Sequence, residues 1–182
     1  MKKKTSKPII HTYILAAGQS SRFGKTKLTQ IFRGLPLVQH PILAAKSVCK
    51  DRVSLIVGHD ASSVIKASGD LVDIIISNSN FKKGLGSSIS TAVSASKKTA
   101  DAILIILGDQ PFVSAQDLNM ILDAWSGSSD EIVASSYDGI EGPPILFPKT
   151  TYQYLEDLSE DYGAKYLIKN DEFNLKKIKI PS

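Results

Sequence analysis

Short, largely β-branched runs recur along the chain with segments of helical spacing between them, and this alternation limits the possible folds more than any other feature. Residues 9–15, "VSLIV" at 53–57, "VDIIIS" at 72–77 and "AILIIL" at 102–107 are apolar almost throughout, as expected of strands covered on both faces. Between them, residues 37–48 place Leu37, Ile42, Leu43, Ala45 and Val48 near one stripe, and the segment from Ser87 does the same with Ile89, Ala92, Val93 and Ala95. Each strand thus leads into a helix. The clearest helix start is at 114–125, where Ser114 and Asp117 have capping-box spacing and Leu118, Ile121, Leu122 and Trp125 form the apolar face. Further on, 132–135, 144–147 and "NLKKIKI" read as strands, and "TYQYLEDL" and "GAKYLIKN" as helices. The pattern predicts an α/β fold in three layers, a mostly parallel sheet flanked by helices. At 182 residues the chain is expected to be a flexible basic tail, 1–7, and a single domain, 8–182.

Composition removes several classes of function. Hydrophobic residues at 42% and charged ones at 22% are ordinary for a globular protein, and the apolar runs are far too short to span a bilayer, so no membrane role is expected. Much of the net charge of +4 comes from "MKKKTSK", and the remaining cations are scattered rather than clustered with aromatics, so no nucleic-acid partner is expected. The basic start runs into a strand and a glycine loop rather than a signal sequence, which predicts a cytoplasmic protein. The single cysteine, Cys49, falls in an apolar helical pattern and reads as a core residue. His11, His40 and His59 are too dispersed for a metal cluster or a catalytic dyad and read as structural.

Open parallel sheets bind ligands at the carboxyl ends of their strands, so the loops there carry the functional signal. The first is "LAAGQSSRFGKTKL". It has one residue too many before Gly24-Lys25-Thr26 to be a P-loop, and Gly18 and Gly24 lack the middle glycine of a dinucleotide fingerprint. Small residues Ala16, Ala17 and Gly18 after Leu15 nevertheless let a ligand approach the backbone, and their amides could form an anion nest. Arg22, Lys25 and Lys27 bring cations to the same side, suited to phosphate oxygens. The fourth strand ends in "GDQP", where Gly108 precedes a carboxylate, Asp109. A carboxylate beside a phosphate loop calls for a cation, and Mg2+ held by one or two carboxylates plus substrate phosphates fits. "FKKGLGSS" at 81–88 is a second candidate anion site, through Gly84 and the hydroxyls of Ser87 and Ser88, either of which would cap the helix.

The first loop closely resembles the Leu-Ala-Ala-Gly-x-Ser-x-Arg-Met-Gly-x-x-Lys signature of nucleotidyltransferases, with Phe23 in the methionine place. "GDQP" at 108–111, "NSNFKKGLGSSISTAV" at 78–93, "GPPILF" at 142–147 and "EDYGAKYLI" at 160–168 resemble the molybdenum cofactor cytidylyltransferase family, a branch of the MobA-like NTP transferases. The resemblance runs through nearly the whole chain, in order. It implies a Rossmann-like fold of the nucleotide-diphospho-sugar transferase type and transfer of CMP from CTP to molybdopterin with release of pyrophosphate. It further implies that residues 15–18 hold the nucleotide, that Arg22 and Lys27 grip the triphosphate, that Asp109 holds Mg2+ with Asp161 a further candidate, and that Gln110, Pro111, Gly142, Pro143, Pro144 and Lys165 lie on the acceptor side. Ala17 after Ala16, where guanylyl relatives carry Gly-Gly, points to cytidine. The chain departs from the branch at Pro143, where a histidine is frequent, and at Lys165, where an arginine is. Both departures bear on the acceptor. Two other functions stay open: nucleotidyl transfer to a sugar or polyol phosphate, and a nucleotide-binding maturation factor that escorts cofactor to a molybdenum hydroxylase without turnover.

Overall fold

The computed structural model describes residues 7–19, 26–158, 165–168 and 172–180. Strand β1 (Ile10–Ala16) is followed by a small hairpin, β2 (Ile31–Phe32) and β3 (Leu35–Pro36), and by helix α1 (Gln39–Cys49). Then come β4 (Val53–Val57), α2 (Ala61–Ser68), β5 (Ile74–Ser77), α3 (Leu85–Ser96), β6 (Ala102–Leu107) and α4 (Ala115–Ala124). The remainder comprises β7 (Glu131–Tyr137), β8 (Ile140–Pro148), α5 (Tyr152–Glu156), α6 (Lys165–Ile168) and β9 (Asn174–Lys179). Apart from the hairpin, the strands form one seven-stranded sheet in the order β5-β4-β1-β6-β8-β7-β9.

Alternate residues of the central strands feed two cores. Ile14, Ala16, Leu104 and Ile106 join Ile42, Val64, Leu118 and Ile121 on the face covered by α1, α2 and α4. Tyr13, Leu15, Ile103 and Ile105 join Ile89, Val93, Leu155 and Leu167 on the face of α3, α5 and α6. The expected three layers are therefore present, and the apolar runs of β1, β4 and β6 follow from double-sided burial, whereas β5 is an edge strand that leaves Ile74 and Ile75 exposed and is not covered as expected. The parallel pairings Ala16 with Val57, Val57 with Ser77 and Leu15 with Leu107 align the carboxyl ends of β5, β4, β1 and β6 along one edge.

Strict strand–helix alternation breaks after β7. β8 follows it directly as an antiparallel partner of both β7 and β6, and it begins at Ile140 rather than at 144. The turn is Asp138-Gly139 with φ of 48° and 86°, the conformation that Asp-Gly favours in two-residue hairpins. α2, a short helix burying only Val64 and Ser68, has no clear periodic signal in the sequence. Leu43 and Ala95, expected in apolar stripes, are exposed. α3 begins two residues before the expected start, at Leu85, with Gly84 at its N-cap (φ 84°) and no side-chain cap. Ser87 and Ser88 thus lie inside the helix and do not cap it. The capping box of Ser114 and Asp117 at α4 is formed as expected, and Trp125 is buried, its indole N–H donating to the Ser128 carbonyl. Cys49 is half-buried at the end of α1, where burial pushes its thiol pKa up.

Candidate nucleotide site at the strand ends

Three backbone bonds knit the loops at the sheet edge. The Gly108 amide donates to the Leu15 carbonyl (2.9 Å), the His59 amide to the Ala17 carbonyl (3.2 Å) and the Asn78 amide to the Val57 carbonyl (2.8 Å). A side chain at Gly108 would be crowded, since a Cβ there would lie 3.1 Å from the Leu15 carbonyl oxygen and 3.4 Å from Leu28. Gly18 is the opposite case: it is exposed, and a Cβ there would meet no described atom within 4 Å. Among the described residues, packing does not demand a glycine at 18, and its backbone is open to a ligand.

The two expected charges meet across this edge. Lys27, in a short 3-10 turn, places Nζ 3.2 Å from Asp109 Oδ2, which follows β6; the side chains are 39% and 40% exposed. The pair is solvated and interchangeable with other partners, as a surface ion pair of small net strength should be. Next to Lys27, Thr26 donates a short hydrogen bond to Asp60, the residue preceding α2. The hydroxyls of Thr26 and Ser63 hold the Asp60 carboxyl below the usual carboxylate range. Neither Thr26 nor Asp60 was marked by any sequence pattern, because the contact spans two loops.

Gln110 is braced at both ends: its Oε1 accepts from the Leu107 amide (3.1 Å) and its Nε2 donates to the Pro143 carbonyl (2.7 Å). Tyr137 Oη donates to the same carbonyl (3.1 Å), and Ser135 Oγ to that of Pro144 (2.8 Å); the Pro143–Pro144 bond is cis. The loop after β6, with Pro111, and the Gly142–Pro144 stretch of β8 are therefore adjacent. At the second candidate anion site, Asn78, 3% exposed, donates through Nδ2 to Ser87 Oγ (2.9 Å) and Ser88 Oγ (3.1 Å), and Ser87 Oγ donates to the Gly84 carbonyl. Both hydroxyls are buried and engaged, so an anion there would be met by backbone amides. Asn78 was not singled out, although it opens the 78–93 segment that carries the resemblance. The tail residues 1–6, Arg22, Lys25, Asp161 and the Lys165 side chain lie outside the described residues.

The histidines take structural positions. His40 Nε2 lies 2.8 Å from the Phe32 carbonyl, His59 tilts against Phe81, and His11 is partly buried beside Arg52, which together hold its pKa down. Among the described residues no group of three His, Cys, Asp or Glu is placed to cage a metal. Asp109 offers one accessible hard oxygen donor, which fits Mg2+ or a similar ion that takes its other ligands from phosphates and water. No described helix is long and apolar enough to cross a membrane.

Residues 12–176 match the family model for the MobA-like NTP transferase domain. The purine catabolism protein PucB of Bacillus subtilis is 29% identical over 174 residues, which cover 91% of this chain and 83% of that protein. The bifunctional protein GlmU of Rhizobium johnstonii is 33% identical over 123 residues, 66% of this chain but only 27% of that protein. Among solved structures, Rv0371c from Mycobacterium tuberculosis superposes with a TM-score of 0.83 at 25% identity, covering 97% of this chain and 90% of that one. Rv0371c has also been solved in complex with manganese.

Proposed function

The chain belongs to the MobA-like NTP transferase family and is a nucleotidyltransferase, and from that premise we propose that it transfers CMP from CTP to molybdopterin and releases pyrophosphate. The carrying observation is the convergence of Lys27, from the glycine loop, with Asp109, from the far side of the same sheet edge. In this reading Lys27 supplies a phosphate-binding cation and Asp109 a metal-binding carboxylate at the strand ends. An acceptor phosphate oxygen attacks the α-phosphorus, the bond to the β-phosphate breaks, and the departing pyrophosphate carries away the electron pair. Charge accumulates on phosphate oxygens, so positioning and neutralisation contribute more than proton transfer.

In the proposed complex the amides of residues 16–18 orient the nucleotide, and Lys27 exchanges Asp109 for triphosphate oxygens alongside Arg22. Asp109, released from Lys27, would hold Mg2+, which would neutralise charge developing on the phosphates. That Rv0371c has been solved with manganese supports the use of a divalent ion. Gln110, bonded to the Pro143 carbonyl, fixes the spacing between the metal side and the acceptor side. A molybdenum hydroxylase or its maturation protein is the partner that would use the product.

The test is incubation with molybdopterin, Mg2+ and labelled CTP or GTP, followed by identification of the product. Labelled cytidylyl product with pyrophosphate is expected; consumption of GTP alone would overturn the base assignment, and turnover only with a sugar or polyol phosphate would overturn the acceptor. Substitution Asp109→Ala should lower turnover about a thousandfold while leaving the fold intact. Near-normal turnover in that variant would remove Asp109 from the mechanism.

A further inference from the structure

Arg33 sits at the tip of the β2–β3 hairpin with φ of 48°, followed by Gly34 at 86°. These are the positive dihedrals of a two-residue turn whose first position favours Asn or Asp. The same chain builds the same turn with Asp138 and Gly139. A bulky side chain in the left-handed region is uncommon, and such outliers cluster at functional positions.

The Arg33 side chain is arranged as well as its backbone. Its Cζ lies 5.3 Å from the centroid of the Phe32 ring and 5.4 Å from that of Phe112, and the two rings meet edge to face at 5.6 Å. Both distances are within cation–π range. Phe112 is 70% exposed, an unusual exposure for phenylalanine, and its contacts here are with Phe32 and Arg33. No carboxylate of the described residues pairs with the Arg33 guanidinium. Both rings lie to one side of the guanidinium, and its forked N–H donors are left for a ligand on the other.

This unit adjoins the candidate site. Phe112 is three residues beyond Asp109, and the hairpin is tied to the turn bearing Lys27 by the bonds from the Leu37 amide to the Gln30 carbonyl (2.8 Å) and from the Val38 amide to the Leu28 carbonyl (3.1 Å). We infer that Arg33, held against the Phe32–Phe112 pair, binds a phosphate group of a substrate of this nucleotidyltransferase. The inference rests on the nucleotidyl-transfer reading and adds a binding residue to it. The phosphate belongs either to the pyrophosphate end of the nucleotide or to the acceptor. Phe112 is a positioning residue.

The test titrates isotope-labelled full-length protein with inorganic pyrophosphate, with phenyl phosphate and with phenol, following the Arg33 side-chain N–H resonance. Saturable shifts with pyrophosphate identify the nucleotide as the source, and shifts with phenyl phosphate identify the acceptor; phenol should cause none. An Arg33 resonance that moves with neither phosphate compound overturns the inference whatever the enzyme's acceptor proves to be. Arg33→Asn places a favoured residue in the turn, so it should fold at least as well and still weaken the responding phosphate compound roughly tenfold to a hundredfold. Unchanged affinity in that variant also overturns the inference. In turnover, the KM of the matching substrate should rise while kcat changes little; Phe112→Tyr should keep both and Phe112→Ala should raise that KM. Absence of pyrophosphate release by the wild-type protein with CTP and molybdopterin would instead defeat the assigned reaction and leave the titration to decide Arg33.

Discussion

Gly58 and Gly108 follow β4 and β6, the strands on either side of β1, and a Cβ would be crowded at both. A Cβ on Gly58 would lie 2.6 Å from Phe81 Cβ and 2.9 Å from Ala17 Cβ, distances that real side chains do not tolerate. Gly58→Ala should therefore destabilise the protein by about 1–3 kcal/mol through overpacking, read as a lower urea midpoint with an unchanged m-value. A wild-type midpoint would mean that Phe81 moves aside freely. At this scale the sequence disclosed residues with distinctive chemistry, such as Lys27 and Asp109, 82 positions apart. It did not disclose Asn78, Thr26 or Arg33, whose environments are made by residues distant in the chain: Ser87 and Ser88 for the first, Asp60 for the second, Phe112 for the third.

Elements were legible where local chemistry and tertiary packing demand the same thing. α4 is such a case: the Ser114 amide and hydroxyl both donate to Asp117 Oδ2, and the Asp117 amide donates back to Ser114 Oγ (3.2 Å). Ser114→Ala should cost about 1 kcal/mol, measurable by urea denaturation; no loss would mean that the apolar face alone fixes the start of the helix. α3 shows the limit of such reasoning. Two serines at a helix start resemble caps, yet burial of Ile89, Ala92 and Val93 sets the helix phase and carries both serines inward, with Gly84 making the turn. β8 shows the other limit, since "YDGI" is a hairpin signal but nothing local states that the returning strand also pairs with β6.

Across the whole molecule, stability should depend on pH through groups far from the site. Burial and Arg52 depress the pKa of His11, so the unfolded chain takes up that proton first. The stabilising difference is full above the unfolded value of about 6.5 and declines as pH falls through it toward the lower folded value. Urea midpoints measured between pH 7.5 and about 5.5 should drop less for His11→Gln than for wild type; parallel curves would show that His11 titrates normally. The sequence by itself determined the three layers, because strands buried on both faces and helices with one apolar face have few stable arrangements. It also marked the candidate phosphate loop, because the small residues, cations and carboxylate are written into contiguous motifs. Only the tertiary structure decided that β8 runs antiparallel between β6 and β7, that Lys27 meets Asp109, and that Arg33 is held by two aromatic rings. These depend on which strands become neighbours, and that choice is made by burial summed over the entire sheet rather than by any short stretch of residues.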